Sequence, residues 1–193
     1  FKASGTILFR EAITKQLTGV LIGKNKPNAI LVGPAGTGKT KIMEDLAYRL
    51  ENNDPTIPDK LMGYKIYELP LSNIVSGSSY VGQLEEKIKA VIEFAADQKE
   101  HVILFIDEIH QLADDHAGQT YAKIAQILKP ALARGEIRCV GATTSQEANL
   151  LMDDPALNRR FSRIIVDELT PEQTVAILDS SRSSLMKHYQ YKV

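Results

Sequence analysis

Apolar positions along the chain fall into two alternating patterns. Ile13, Leu17 and Val20-Leu21 recur at helical spacing with Arg10, Glu11 and Lys15 on the other side, predicting a helix over residues 10–22. After a loop from Gly23 to Asn28, the short apolar run Ala29-Ile30-Leu31-Val32 reads as a strand. Ile42, Leu46 and Leu50 predict a helix to about Asn52, where an Asn-Asn-Asp-Pro sequence stops it. Thr56 to Gly63 reads as a connection, and Lys65-Ile66-Tyr67-Glu68-Leu69 alternates as a strand closed by Pro70. Ser72 to Gly82 reads as a polar loop around the single aromatic Tyr80. Leu84, Ile88, Val91, Ile92 and Ala95 then form the stripe of a strong helix. Val102 to Ile106 is unbroken apolar, the mark of a strand buried on both faces. Ala113 to Gln119 is loop-like, and Tyr121 to Arg134 is helical with a bend expected at Pro130. Ile137 to Ala142 makes a fourth strand, Ser145 is expected to cap a short helix, and Arg163 to Val166 is a fifth strand. Thr170-Pro171-Glu172-Gln173 carries the start signals of a helix running toward His188.

Strands alternating with helices predict a three-layer αβα fold with a mostly parallel five-stranded sheet, whose ligands sit beyond the carboxyl ends of the strands. Gly33-Pro34-Ala35-Gly36-Thr37-Gly38-Lys39-Thr40 follows the first strand and reads G-x-x-x-x-G-K-T, the phosphate-binding loop. Glycines let backbone N–H groups converge on phosphate oxygens, and the helix starting near Gly38 adds its unpaired N–H groups. Lys39 is placed to reach the outer phosphates of ATP and the Thr40 hydroxyl to hold Mg²⁺. Asp107 follows the buried strand, where a P-loop NTPase places its other Mg²⁺ ligand, and Glu108 beside it suits a base for the attacking water. The phosphate loop, Asp107-Glu108 and Thr143-Thr144 each follow a strand, so they are expected on one rim.

Composition narrows the field. The chain has 193 residues, 44% apolar and 24% charged, enough for a real core. Lys and Arg number 23 against 24 Asp and Glu, a net charge of −1, which argues against recruitment by nucleic acid or anionic lipid. One cysteine, Cys139, excludes an internal disulfide and fits a reducing, cytoplasmic setting; mid-strand, it reads as core filler. No apolar run reaches transmembrane length. The chain opens on Phe1 and stops while still helical, which suggests an excised fragment. His110, Asp114, Asp115 and His116 lack metal-ligand spacing and read as a structural histidine and a hydrated loop.

Residues 4 to about 190 resemble the first nucleotide-binding domain of Clp-type AAA+ unfoldases and disaggregases. The resemblance rests on Gly33–Thr40 (Walker A), Val102–His110 (Walker B), Lys129–Glu136, Gly141-Ala142-Thr143-Thr144 and Ala156–Phe161, the last three being more specific to the Clp branch than the Walker motifs. It implies an ATP-hydrolysing module that assembles into a ring, probing γ-phosphate through Thr144 at the sensor-1 position. Arg159 and Arg160 match the arginine fingers that complete a neighbouring subunit's ATP site; a planar, permanently charged guanidinium suits the charge of the transferring phosphoryl group. Gly77 to Glu86 resembles the pore loop, with Tyr80 and Val81 as the gripping pair for a polypeptide substrate; the family's flanking basic residues are replaced by Ser79 and Val81. Where the family has an apolar-Gly-Arg segment by the adenine, this chain has Ile7-Leu8-Phe9-Arg10, leaving Ile7 and Leu8 to sandwich the base. The loop after Walker B is short for the family. The resemblance divides the chain into a large α/β subdomain, residues 1–168, and the first helix of a helical lid, residues 169–193.

Three functional expectations follow: a ring-forming ATP-driven motor acting on polypeptide, a nucleic-acid-directed AAA+ ATPase, and a scaffold that binds ATP for assembly only. The lack of a basic stripe counts against the second and Glu108 against the third.

Overall fold

The computed structural model describes residues 7–24, 26–77, 81–98 and 100–189. Its strands are β1 (Asn28–Val32), β2 (Lys65–Glu68), β3 (Val102–Ile106), β4 (Cys139–Thr143) and β5 (Phe161–Ile165), arranged β2-β3-β4-β1-β5. All four pairings are parallel, so the expected mostly parallel sheet is wholly so among the described residues. Parallel neighbours need crossover connections, and helices supply them on both faces.

The two faces are told apart by alternation within the strands. Ala29 and Leu31 of β1, with Ile103 and Phe105 of β3, face one core layer built with α1 (Glu11–Leu21) and α2 (Lys39–Glu51). Ile30 and Val32, with Leu104 and Ile106, face the other, built with α4 (Val81–Asp97) and α5 (Gln119–Arg134). β1, β3 and β4 are buried at every position, which is why their sequences run apolar without alternation. Each fully buried Leu, Ile or Phe contributes about 1.5–3 kcal/mol of transfer free energy, so these layers hold the strand ends that carry the chemistry.

Three local expectations are corrected. The stretch read as a polar loop from Ser72 opens as a short helix, α3 (Leu71–Ser76), because Leu71, Ile74 and Val75 at i, i+3 and i+4 pack on the core. The buried face of α1 holds Leu17 and Leu21 as expected, but Thr14 and Thr18 complete it, with Ile13 and Val20 only partly buried beside it. Ser145 does not cap the helix α6 (Ala148–Asp153). Instead Thr144 Oγ accepts from the Glu147 N–H at 3.4 Å and the Thr144 carbonyl takes the Ala148 N–H at 3.0 Å.

A four-residue helix, α7 (Pro155–Asn158), is capped by Asp154, whose carboxylate accepts from the Ala156 and Leu157 N–H groups. The last helix, α8 (Pro171–Tyr189), begins with the reciprocal cap expected of it. Gln173 N–H donates to Thr170 Oγ, and Thr170 N–H donates to the Gln173 side chain. Among the described residues no helix is long and apolar enough to cross a membrane.

Candidate active site

β1 lies between β4 and β5, and β4 lies beside β3, so the carboxyl ends of β1, β3 and β4 are consecutive along one rim. The loop after β1 is tied to that rim at its first residue, where Gly33 N–H donates to the Thr143 carbonyl at 3.2 Å. Gly33 cannot be larger: a Cβ there would lie 2.1 Å from the Val166 carbonyl oxygen. The loop then folds on itself. Thr37 Oγ donates to the Pro34 carbonyl at 2.9 Å, and Gly38 turns through a left-handed φ of 86° to start α2.

Lys39 spans the loop, its ammonium donating to the Gly33 carbonyl at 2.7 Å and the Pro34 carbonyl at 2.8 Å. Burial lowers its pKa, and the nearby carboxylates Asp107 and Glu147 oppose that shift. One residue on, the Thr40 hydroxyl donates to Asp107 Oδ2 at 3.3 Å, across 67 positions of sequence. Two hard oxygens this close fit the adjacent corners of a magnesium octahedron, whose ligand edge is roughly 3 Å at Mg–O distances near 2.1 Å. Glu108 stands at a left-handed φ of 49°, an unfavourable backbone for a non-glycine residue. Its N–H is held by Asp107 Oδ1 at 2.9 Å, and Gln111 donates to its carboxylate at 3.2 Å.

These groups line a cleft of about 330 Å³. Ala35, Gly36, Gly38, Lys39 and Thr40 form one wall; Asp107, Glu108, His110, Thr143, Thr144 and Glu147 form the other. On the far side of the Gly36–Gly38 segment lies a second cavity of about 350 Å³. Its apolar lining is Ile7, Leu8, Leu169 and Ile177, the last from α8. The two cavities adjoin across the loop, sharing Gly36 and Gly38.

Other expected residues lie elsewhere. Arg159 and Arg160 follow α7, exposed and partly exposed respectively, and neither lines the cleft. Tyr80 lies outside the described residues, and Val81 is the first residue of α4.

Sequence reading missed several neighbours of the site. Arg10 is not on a solvent face but only 7% exposed, donating through Nη2 to the Thr37 carbonyl at 2.7 Å and the Asp167 carbonyl at 3.0 Å. Asp45 is fully buried, paired with Arg49 at 2.9 Å and accepting the Ile7 N–H at 3.1 Å. Glu147 receives the Thr144 hydroxyl at 2.7 Å. His110, read as structural, is buried between Thr143 and Glu147. Only the helical spacing of Asp45 and Arg49 was a sequence signal for any of these contacts.

Comparison with known proteins bears on this geometry. The profile of the "ATPase family associated with various cellular activities (AAA)" matches residues 29–169. A chaperone protein ClpB of Aquifex aeolicus is 41% identical over 188 residues, 97% of this chain and 18% of the relative. A ClpB of Vibrio cholerae is 38% identical over 188 residues, covering 97% and 22% respectively. Among solved structures, S. cerevisiae Hsp104 in an extended complex with casein superposes with a TM-score of 0.81 at 36% identity, over 97% of this chain and 31% of that one. The S. cerevisiae Hsp104–ADP complex gives 0.84 at 36% identity, over 98% and 26%. The chain spans about a fifth of the length of the curated relatives it matches.

Proposed function

The chain belongs to the ATPase family associated with various cellular activities, and from that membership we propose that it is the first nucleotide-binding module of a Clp-type motor. In this reading it hydrolyses Mg-ATP to remodel, unfold or translocate polypeptide as part of a ring, with residues 1–168 forming the α/β subdomain and residues 169–193 opening a helical lid. The observation that carries the reading is the meeting of Thr40 and Asp107 at 3.3 Å, in a cleft walled by the phosphate loop.

The adenine enters between Ile7 and Leu8 on one side and Leu169 and Ile177 on the other. Lys39 exchanges its contacts with the loop carbonyls for the outer phosphate oxygens. Thr40 and Asp107 would hold magnesium, which would neutralise charge on the phosphate oxygens. Glu108, fixed by Gln111, takes a proton from a water whose oxygen bonds to the γ-phosphorus. The bond from that phosphorus to the bridging oxygen breaks, leaving ADP and phosphate. Arg159 and Arg160, lying outside their own cleft, complete the site of the adjacent protomer. Tyr80 and Val81 meet the substrate polypeptide in the ring's channel. That the relatives are named chaperones, and that one solved relative is held with casein, supports polypeptide over nucleic acid as the substrate. The net charge of −1 points the same way.

Glu108→Gln separates a motor from a scaffold. We expect ATP binding within about twofold of wild type and turnover reduced by at least about 100-fold, as for loss of a general base. Unchanged turnover in the full-length protein refutes the hydrolytic assignment.

A further inference from the structure

One wall of the cleft carries a polar chain with no place in the scheme above. Thr144 donates its hydroxyl proton to Glu147 Oε2 at 2.7 Å. On the other carboxylate oxygen, Oε1, His110 Nε2 lies 3.4 Å away. His110 Nδ1 lies 3.1 Å from Thr143 Oγ. The ring is about nine-tenths buried and Thr143 is 2% exposed, so these groups have few other partners.

A carboxylate only accepts, and that fixes the direction of the Thr144–Glu147 bond. A His110 tautomer with its proton on Nε2 faces that proton to Glu147 and leaves Nδ1 to accept from the Thr143 hydroxyl. Glu147 thus accepts the Thr144 hydroxyl on one oxygen while its other oxygen stands against the His110 ring. Because the Thr144 proton is committed to Glu147, its oxygen meets the cleft as an acceptor and is not free to donate to a phosphate oxygen. The resemblance places Thr144 at the sensor-1 position, which probes the γ-phosphate, and leaves the direction of its hydrogen bond open. Burial counts as well: Glu147 is 40% exposed on its side chain, where it borders the cleft opposite Lys39, while His110 closes it off from behind.

We propose that Glu147 is a positioning residue for ATP hydrolysis, holding the Thr144 hydroxyl so that its oxygen accepts a proton of the attacking water and aims that water for Glu108, with His110 bracing the carboxylate. This rests on the hydrolytic reading above. It adds a third carboxylate to the site with a task distinct from the other two: Asp107 serves the metal, Glu108 takes the proton, and Glu147 sets a rotor.

The test is steady-state ATPase kinetics on the full-length protein, comparing wild type, Glu147→Gln, Thr144→Val and the double variant, with folding checked by thermal melts. Glu147→Gln replaces one acceptor oxygen by a donor of the same shape, so kcat is expected to fall roughly 10–100-fold, as for loss of an outer partner that orients an active-site group. KM for ATP is expected to stay within about threefold, because the contact acts on the chemical step. In the Thr144→Val background the same change is expected to cost nothing further, since Glu147 acts through that hydroxyl. Should the Gln variant not fold, Glu147→Asp, which draws the carboxylate back from both partners, is expected to give a kcat between the wild-type and Thr144→Val values. Wild-type kcat in either Glu147 variant, losses that add in the double variant, or a loss confined to KM each overturn the proposal while leaving the ATPase reading intact. A folded wild type without turnover overturns both.

Discussion

Arg10→Met tests whether the phosphate loop depends on a side chain 27 positions before its Thr37 in the chain. The guanidinium lies at the start of α1, and one of its nitrogens bridges two carbonyls: Thr37 within the phosphate loop, and Asp167 shortly before α8. Burial lowers the Arg10 pKa and the charge of Asp167 opposes this, so the group is a cation held out of water at a structural cost. Methionine keeps the length of the stem and removes both donors. Hydrogen bonds from charged donors contribute about 1.5–3 kcal/mol each, but the two here share a nitrogen, and the variant is spared the desolvation of the guanidinium. The net loss of unfolding free energy is therefore about 1–2 kcal/mol.

The more telling effect is on the loop. Thr37 sits between Gly36 at φ 81° and Gly38 at φ 86°, and once its carbonyl is released its restraint falls to its own bonds to the Pro34 carbonyl. Ordering that segment again when nucleotide binds costs about 1 kcal/mol of backbone entropy, which is roughly fivefold in Kd. Titration with a fluorescent ATP analogue measures it directly, beside a thermal melt. A Kd within twofold of wild type, with stability lost, would show that Arg10 supports the fold alone and that loop order does not depend on it.

Two further variants test local features. Burial pushes the Asp154 carboxyl upward, but the Lys129 ammonium at 3.0 Å and the Ala156 and Leu157 N–H groups prevail and hold it below its ordinary value. A depressed carboxylate adds stability above its unfolded pKa, about 3.9, and loses it as pH falls through the folded value. Asp154→Ala is thus expected to cost about 1–2 kcal/mol at pH 7 and progressively less below pH 4, read from denaturant midpoints; a pH-independent difference would refute the charge argument. Phe9 holds a left-handed φ of 62° and is 42% exposed, so Phe9→Gly relieves backbone strain while losing little packing. A rise in Tm of about 1–3 °C is expected, the strain relief of about 1–2 kcal/mol being partly offset by chain entropy; a fall in Tm would show that the Phe9 ring contributes more than the strain costs.

What was legible in the sequence was whatever a short window constrains. The phosphate loop needs its glycines within eight positions, and β3 is apolar because both of its faces are covered. Each of the five strands has its counterpart near the expected residues, and the parallel order then brings Thr40 to Asp107. What was not legible depends on partners distant in the chain. Arg10 reads as a surface charge until Asp167, 157 positions away, is brought beside it. Thr14 and Thr18 look polar, yet they lie on the buried face of α1. α3 is hidden by Ser72, Asn73 and Ser76, because its three apolar residues are too few to show a period. Phe9 was noted as a departure where the resemblance has glycine; its positive φ shows that the backbone keeps the glycine conformation without the glycine.

The central claim is that the Lys39 loop and the Asp107 carboxylate together receive one magnesium–triphosphate unit. Calorimetric titration of ATP into the full-length wild type and its Lys39→Ala variant, with magnesium and again with chelator, tests it most directly. We expect saturable wild-type binding with magnesium, weakened at least about tenfold by chelation and by the substitution alike, each equivalent to about 1.4 kcal/mol. Equal affinities across all four titrations would contradict it.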